Sequence, residues 1–285
     1  MKKFLVLICL FTILENTYSQ KIAAFSIYNS KGKKVSVKAM FKNLEKSEII
    51  LFGELHNNPI SHWLQLELIT HLYIKNHNLI LGAEMFEADN QDGITAYLKN
   101  EIDRKTFDTI VRLWSNYKTD YAPLVEFAKD NNIDFVATNV PRKYASMVNR
   151  NGFEVLENLT EAEKKHIAPL PIDYDPELPG YKKMFNMIPG HNSPNLPKAQ
   201  ALKDATMAYF ILKNYKTNYI FVHFNGAYHS DNYEGILWYL KRIKPNLKYA
   251  TISTVTQKDV SKLEEQYKGR ADFIICVNEN MTTTY

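Results

Sequence analysis

Two stretches of the chain, Gly53-Glu54-Leu55-His56 and Gly226-Ala227-Tyr228-His229, place a histidine three residues after a glycine. Each directly follows an apolar run rich in β-branched and aromatic residues, 49–52 and 219–224. Glycine allows a sharp turn and a close approach of the backbone to a ligand. Histidine can serve as a general acid or base, or as a metal ligand. Glu54 stands two residues before His56, so in extended chain both project to the same side. Three further clusters end apolar runs in the same way. Gly82 to Glu87 contributes Glu84 and Glu87; Ala137 to Arg142 offers Asn139, Arg142 and main-chain amides to an anion; and His223 comes shortly before His229 and Asp231. Two histidines with several carboxylates suit a divalent zinc, manganese or iron ion, and equally suit acid–base chemistry without metal. In the metal reading His56, His229 and Glu54 hold the ion and Glu84 is a general base or further ligand. Asn139 and Arg142 then meet the substrate, and the protein is a metal-dependent hydrolase acting on a peptide, ester or amide. In the structural alternative, Glu54 and Glu84 are buried carboxylates satisfied by main-chain amides.

These clusters need strands to carry them. Residues 25–28 and 34–37 read as a hairpin. Strand signals follow at 49–53, 79–85, 133–138, 219–224, 248–255 and 272–277, alternating with helical patterns at 59–76, 89–131, 141–150, 197–216, 233–244 and 257–268. The pattern predicts an α/β fold with a mostly parallel central sheet flanked by helices, the stretch 89–131 being long and mostly helical. In such sheets ligands collect beyond the carboxyl ends of the strands, where all four clusters fall. The helix after the first motif is expected to face the sheet with Ile60, Trp63, Leu64, Leu68 and Leu72. On that reading His62, His71 and His77 are surface residues. Residues 151–197 hold seven prolines and read as an irregular, lid-like segment. The aromatic residues at 114–127 read as core or as a flat wall for a planar ligand, with Tyr117 and Tyr121 on one helical face.

Lys2 and Lys3 precede an apolar run over Phe4–Leu14 and then small and polar residues, which reads as a secretory signal peptide over residues 1–20. Cys9 lies inside that run without the small residues of a lipid-attachment site, so a lipid anchor is not expected. The remainder, 21–285, reads as one exported domain without a transmembrane segment. The chain carries 35 Lys and Arg against 31 Asp and Glu with no basic block, which gives nucleic-acid binding no electrostatic support. Beyond the leader the one cysteine, Cys276, sits in an apolar run; an internal disulfide, covalent c-type haem and a cysteine-rich metal site are all excluded.

The motifs Gly53-Glu54-Leu55-His56, Gly82-Ala83-Glu84-Met85-Phe86, the stretch 117–127, Ala137-Thr138-Asn139-Val140-Pro141-Arg142 and Gly226-Ala227-Tyr228-His229 resemble, in order and spacing, the ChaN-like haem-binding family over residues 25–240. That family is grouped with the Tiki and TraB proteins and the erythromycin esterases. The resemblance implies an α/β sheet core with a helical subdomain, in a periplasmic protein of iron or haem uptake working with an outer-membrane haem receptor system. It implies haem held non-covalently by tyrosine and histidine at a homodimer interface. The candidate haem ligands are Tyr117, Tyr121, Tyr181 and His191. The resemblance also implies that the histidine–glutamate pocket is the catalytic centre in the hydrolytic relatives.

Overall fold

The structure, a computed structural model, describes residues 23–75, 77–187 and 193–285. The expected signal peptide and His191 lie outside the described residues. The sheet contains β1 (Phe25–Asn29), β2 (Lys34–Val35), β3 (Ile49–Glu54), β4 (Asn78–Glu87), β5 (Asp134–Asn139), β6 (Tyr219–Gly226), β7 (Tyr249–Gln257) and β8 (Phe273–Asn278). Their order is β2-β1-β8-β7-β3-β6-β4-β5. From β8 to β5 every pairing is parallel, and the β1–β2 hairpin joins antiparallel at the β8 edge. The expected mostly parallel α/β sheet is therefore present.

Continuous apolar runs form the central strands because helices cover both faces. In β3, Ile50 and Phe52 enter the core under helices Pro59–Ile74, Gln91–Leu98 and Ala122–Asp130, while Ile49 and Leu51 enter the opposite core. That second core lies under helices Arg142–Asn151, Leu196–Asn214 and Ile236–Ile243. The chain returns β6 between β3 and β4, which brings the two Gly-x-x-His motifs onto neighbouring strands: Glu54 pairs with Gly226. A register shift in β4 between Ala83 and Glu87 bends the strand where Glu84 leaves it.

Three sequence expectations change. Helix Pro59–Ile74 starts as read, with Pro59 in its first turn and Asn58 Oδ1 accepting from the amides of Ile60 and Ser61 at 3.1 Å. Its buried face, however, includes Ser61, His62 and Gln65 beside Leu64, Leu68 and Leu72, while Trp63 is 47 % exposed. His62 is thus a core residue, because the polar end of this face meets Glu54. The helix expected at 257–268 is a turn with one short 3-10 segment, Glu265–Tyr267. There the Gln257 amide donates to the Lys262 carbonyl at 2.7 Å and Asp259 accepts from the Ser261 amide at 2.8 Å, so side chains satisfy the backbone in place of a helix. The proline-rich stretch is less irregular than its composition suggests. It contains Phe153–Asn158, Glu161–Lys164 and Pro179–Met187, and Leu156, Leu159, Ile167 and Ala168 are buried in the second core.

Candidate functional site

The carboxyl ends of β3, β4, β5 and β6 open into a cavity of about 660 Å³ lined by Glu54, His56, Glu84, Asn139, Arg142 and His229 among others. All six residues expected to form the catalytic, metal or substrate site therefore share one cavity. The two glycines make this possible by different contacts. A side chain at Gly53 would come within 2.7 Å of the Ile252 carbonyl oxygen and 2.9 Å of Ala227 Cα, so Gly53 lets three backbone segments meet. A side chain at Gly226 would come within 2.7 Å of His56 Nε2, so Gly226 makes room for the His56 ring.

His56 is held from one side and open on the other. Its Nδ1 is 2.9 Å from Glu54 Oε1, its side chain is 33 % exposed, and the Trp114 ring meets it edge-on at 4.9 Å. Glu54 is fully enclosed, accepting from Tyr121 Oη at 2.7 Å and from Gln65 Nε2 at 2.5 Å. The main chain of His56 is fixed as well. Its carbonyl accepts from Asn116 Nδ2 at 2.9 Å and lies 3.2 Å from His62 Nε2, and Asn116 also bonds Asp120 at 2.7 Å. Burial alone would lower the pKa of His56, but the Glu54 hydrogen bond and the Glu84 charge outweigh it and raise it.

His229 is clamped. Its Nδ1 is 2.5 Å from Asp204 Oδ1 and its Nε2 3.2 Å from Glu84 Oε1, and the residue is 5 % exposed. Burial opposes the charge, yet Glu84 and Asp204 together push the imidazole up to about 9. Glu84 is correspondingly held well below the usual carboxylate range: burial is overcome by His229, His56 and the Gly226 amide, which donates to Oε2 at 2.7 Å. Asp204 also accepts from Tyr181 Oη at 2.9 Å, and the Gln200 amide lies 2.9 Å from His229 Nδ1. Burial raises the pKa of Asp204 against the pull of His229 and Tyr181, so the raised His229 is held as a cation chiefly against Glu84.

His223 does not join them. Fully buried, with Nε2 2.7 Å from Thr138 Oγ1 and its pKa lowered to about 4 by burial, it is a neutral core residue. Asp231 faces a different cavity, with Arg270 at 3.3 Å.

The three candidate tyrosines lie away from this cavity's lining. Tyr117, Tyr121 and Tyr181 are 3 %, 1 % and 3 % exposed. The segment Tyr117–Tyr121 is a π-helical turn in the core, not a regular helix with one tyrosine face. Tyr121 and Tyr181 give their hydroxyl hydrogens to Glu54 and Asp204, and burial raises the pKa of all three. The expected metal set shares the cavity, but among the described residues no group of three His, Cys, Asp or Glu side chains is arranged to hold a metal ion. Sequence reading missed His62, Gln65, Asn116, Asp120, Gln200 and Asp204.

Known proteins place the chain more closely. The solved structure of ChaN of Campylobacter jejuni, titled for cofacial haem binding, superimposes with a TM-score of 0.66 at 20 % identity, covering 88 % of this chain and 96 % of that one. An erythromycin esterase mutant in its open conformation superimposes with a TM-score of 0.51 at 10 % identity, covering 88 % and 97 %. Both show the fold. Among curated proteins, the chloroplastic Protein RETICULATA-RELATED 5 of Arabidopsis thaliana is 25 % identical over 139 residues, 46 % of this chain; the match covers only 18 % of that much longer protein. The family model described as "Haem-binding uptake, Tiki superfamily, ChaN" matches residues 40–240, which include both Gly-x-x-His motifs. The chain belongs to this ChaN family of haem-binding uptake proteins in the Tiki superfamily.

Proposed function

We propose that this protein is an exported, periplasmic haem-binding protein of haem or iron uptake, which holds haem non-covalently in the cavity at the strand ends. The observation that carries the reading is the family match across residues 40–240. The cavity suits the group. It has a solvent-reaching imidazole, His56, an aromatic wall at Trp114, apolar Leu55 and Val140, and Tyr285 at its lining. With Nδ1–H donated to Glu54, His56 presents its Nε2 lone pair to the cavity, the form that ligates haem iron. In this reading His56 is the axial ligand, ahead of Tyr117, Tyr121 and Tyr181, which do not line the cavity, and His191 stays a second candidate. The bound group supplies the iron and its redox chemistry. The chain fixes the imidazole, covers the porphyrin and keeps water from its faces. A homodimer and an outer-membrane receptor belong to this reading as its partners. No helix among the described residues is long and apolar enough to cross a membrane.

Hemin titrated into the purified protein, followed in the Soret region, checks this. Saturation near one haem per chain is expected, kept in Tyr117→Phe, Tyr121→Phe and Tyr181→Phe and lost in His56→Ala. No saturable shift in the wild type would reject it.

One observation favours a second reading, a hydrolase. His56 is backed by a carboxylate and opens to a cavity that Asn139 and Arg142 also line, an arrangement suited to activating water beside a bound substrate. Glu84 then orients His229, and Asn139 and Arg142 meet the substrate. Hydrolysis of p-nitrophenyl esters that disappears in His56→Ala would support it, and a rate unaffected by that change would remove it. Sensitivity of that rate to chelators separates the metal-dependent form from the metal-free one.

A further inference from the structure

We infer that Thr284 and Tyr285 form a latched wall of the strand-end cavity. Thr284 fastens the segment beside His56, Tyr285 covers the mouth, and a ligand enters or leaves when the segment lifts. This rests on the reading of the cavity as the haem site and adds what controls exchange there.

After β8 the chain turns on its own side chain and backbone. The Asn280 amide donates to Asn278 Oδ1 at 2.9 Å and the Met281 amide to the Asn278 carbonyl at 3.0 Å, while Met281 packs against the first core. The following residues reach the site. The Thr284 amide donates to the Asn57 carbonyl at 3.0 Å, and the Thr284 hydroxyl donates to Asp120 Oδ2 at 2.9 Å. Asn57 directly follows His56. Asp120 is 4 % exposed, and the same oxygen accepts from Asn116 Nδ2 at 2.7 Å and lies 3.4 Å from His62 Nε2. Asn116 and His62 are the two groups at the His56 carbonyl. One buried carboxylate oxygen thus joins the Thr284 hydroxyl to the network that fixes the backbone of His56.

The rest of the segment is held loosely. Residues 282–285 are exposed, and among the described residues the two bonds of Thr284 are their only hydrogen bonds to the rest of the protein. A segment with so few buried contacts opens locally far more readily than the core beneath it. Its closed position is nevertheless defined, because a hydroxyl bonded to a buried carboxylate has a charged acceptor. Tyr285 lines the cavity with Leu55, His56, Asn57 and Trp114, yet it is 66 % exposed. Its ring has apolar surface to gain from a ligand lying against it, and loses nothing packed when it swings away. A wall of this kind sets the rates of entry and release, as lids over ligand sites do.

Stopped-flow mixing with hemin and amide exchange in the haem-free protein test the latch. Thr284→Val keeps the size of the side chain and removes the bond to Asp120, and Tyr285→Ala removes the wall; circular dichroism checks the fold of both. Thr284→Val should raise the association and dissociation rates of hemin together, about tenfold, the equivalent of one hydrogen bond to a charged acceptor. The Soret maximum should not move. Tyr285→Ala should raise the dissociation rate by a similar factor, again without moving the Soret maximum. In the haem-free wild type, NMR should show the Thr284 amide exchanging with solvent about tenfold more slowly than that of Thr283, which has no acceptor among the described residues. Thr284→Val should abolish that difference. Unchanged hemin rates in the two variants, or a Thr284 amide that exchanges as fast as that of Thr283, overturns the latch while leaving haem binding standing. If the wild type binds no hemin saturably, the haem reading falls, and the amide comparison alone upholds or overturns the latch.

Discussion

The two Gly-x-x-His motifs are alike in sequence and opposite in physical state. His56 has one carboxylate, on Nδ1, and keeps a face toward the cavity. His229 has a carboxylate on each ring nitrogen and almost no exposure. The difference comes from the layers behind them. Glu54 projects into the core under helix Pro59–Ile74, where the uncharged side chains of Gln65 and Tyr121 donate to it beside His56. Helix Leu196–Asn214, on the other face of the sheet, brings a second acid, Asp204, against the ring of His229. One motif thus yields an imidazole open to the cavity, and its copy yields a clamped cation that keeps Glu84 ionised and the strand ends together.

The largest expected effect breaks the clamp. His229→Ala leaves Glu84 and Asp204 facing each other without a cation, and should cost about 3–5 kcal/mol of folding stability, as removal of one partner from a buried ion pair does. His56→Ala should cost only about 1 kcal/mol, since Glu54 keeps its Gln65 and Tyr121 bonds. Urea denaturation of the two variants measures the contrast.

Next comes pH. The folded-state pKa of His229 is raised from 6.5 to about 9, so its contribution is complete below about 6.5 and is lost as pH rises through about 9. The loss should be roughly 3 kcal/mol. Comparing denaturation midpoints between pH 6 and 9.5 should show a decline in the wild type that is absent in His229→Gln. The pKa of His56 is also raised, and ligation needs its Nε2 unprotonated, so hemin affinity should increase as pH rises through a midpoint above 6.5.

The glycines sharpen the comparison. Gly53→Ala pushes a methyl group into the Ile252 carbonyl and the Ala227 backbone, which cannot easily yield, and should destabilise by about 1–3 kcal/mol. Gly226→Ala meets the His56 ring, which can turn away. It should leave stability within about 1 kcal/mol of wild type while weakening hemin binding about tenfold. The smallest effect is Tyr121→Phe, which loses one hydrogen bond to Glu54, about 1 kcal/mol by thermal denaturation, and leaves the Soret band in place.

The strands and the four clusters at their ends were legible because period and punctuation are local. The partners that give each histidine its state come from elements distant in sequence. Asp204 offered a readable signal nonetheless: it is a lone acid in helix Leu196–Asn214 with Ala201, Leu202, Ala205 and Thr206 buried around it, and a charge on such a face needs a buried partner. His62 and Gln65, three apart in the helix after the first motif, were hidden by the apolar stripe assigned beside them. The burial of the tyrosines was hidden for a different reason. Aromatic clustering marks a core and a ligand wall alike, and only packing tells them apart.

The most direct test sets the two histidines side by side. Hemin is titrated into His56→Ala and His229→Gln, each first shown to be folded by circular dichroism, and the Soret band is followed. The account predicts that His56→Ala loses the ligated spectrum while His229→Gln keeps it. A ligated spectrum retained in His56→Ala and lost in His229→Gln would contradict it.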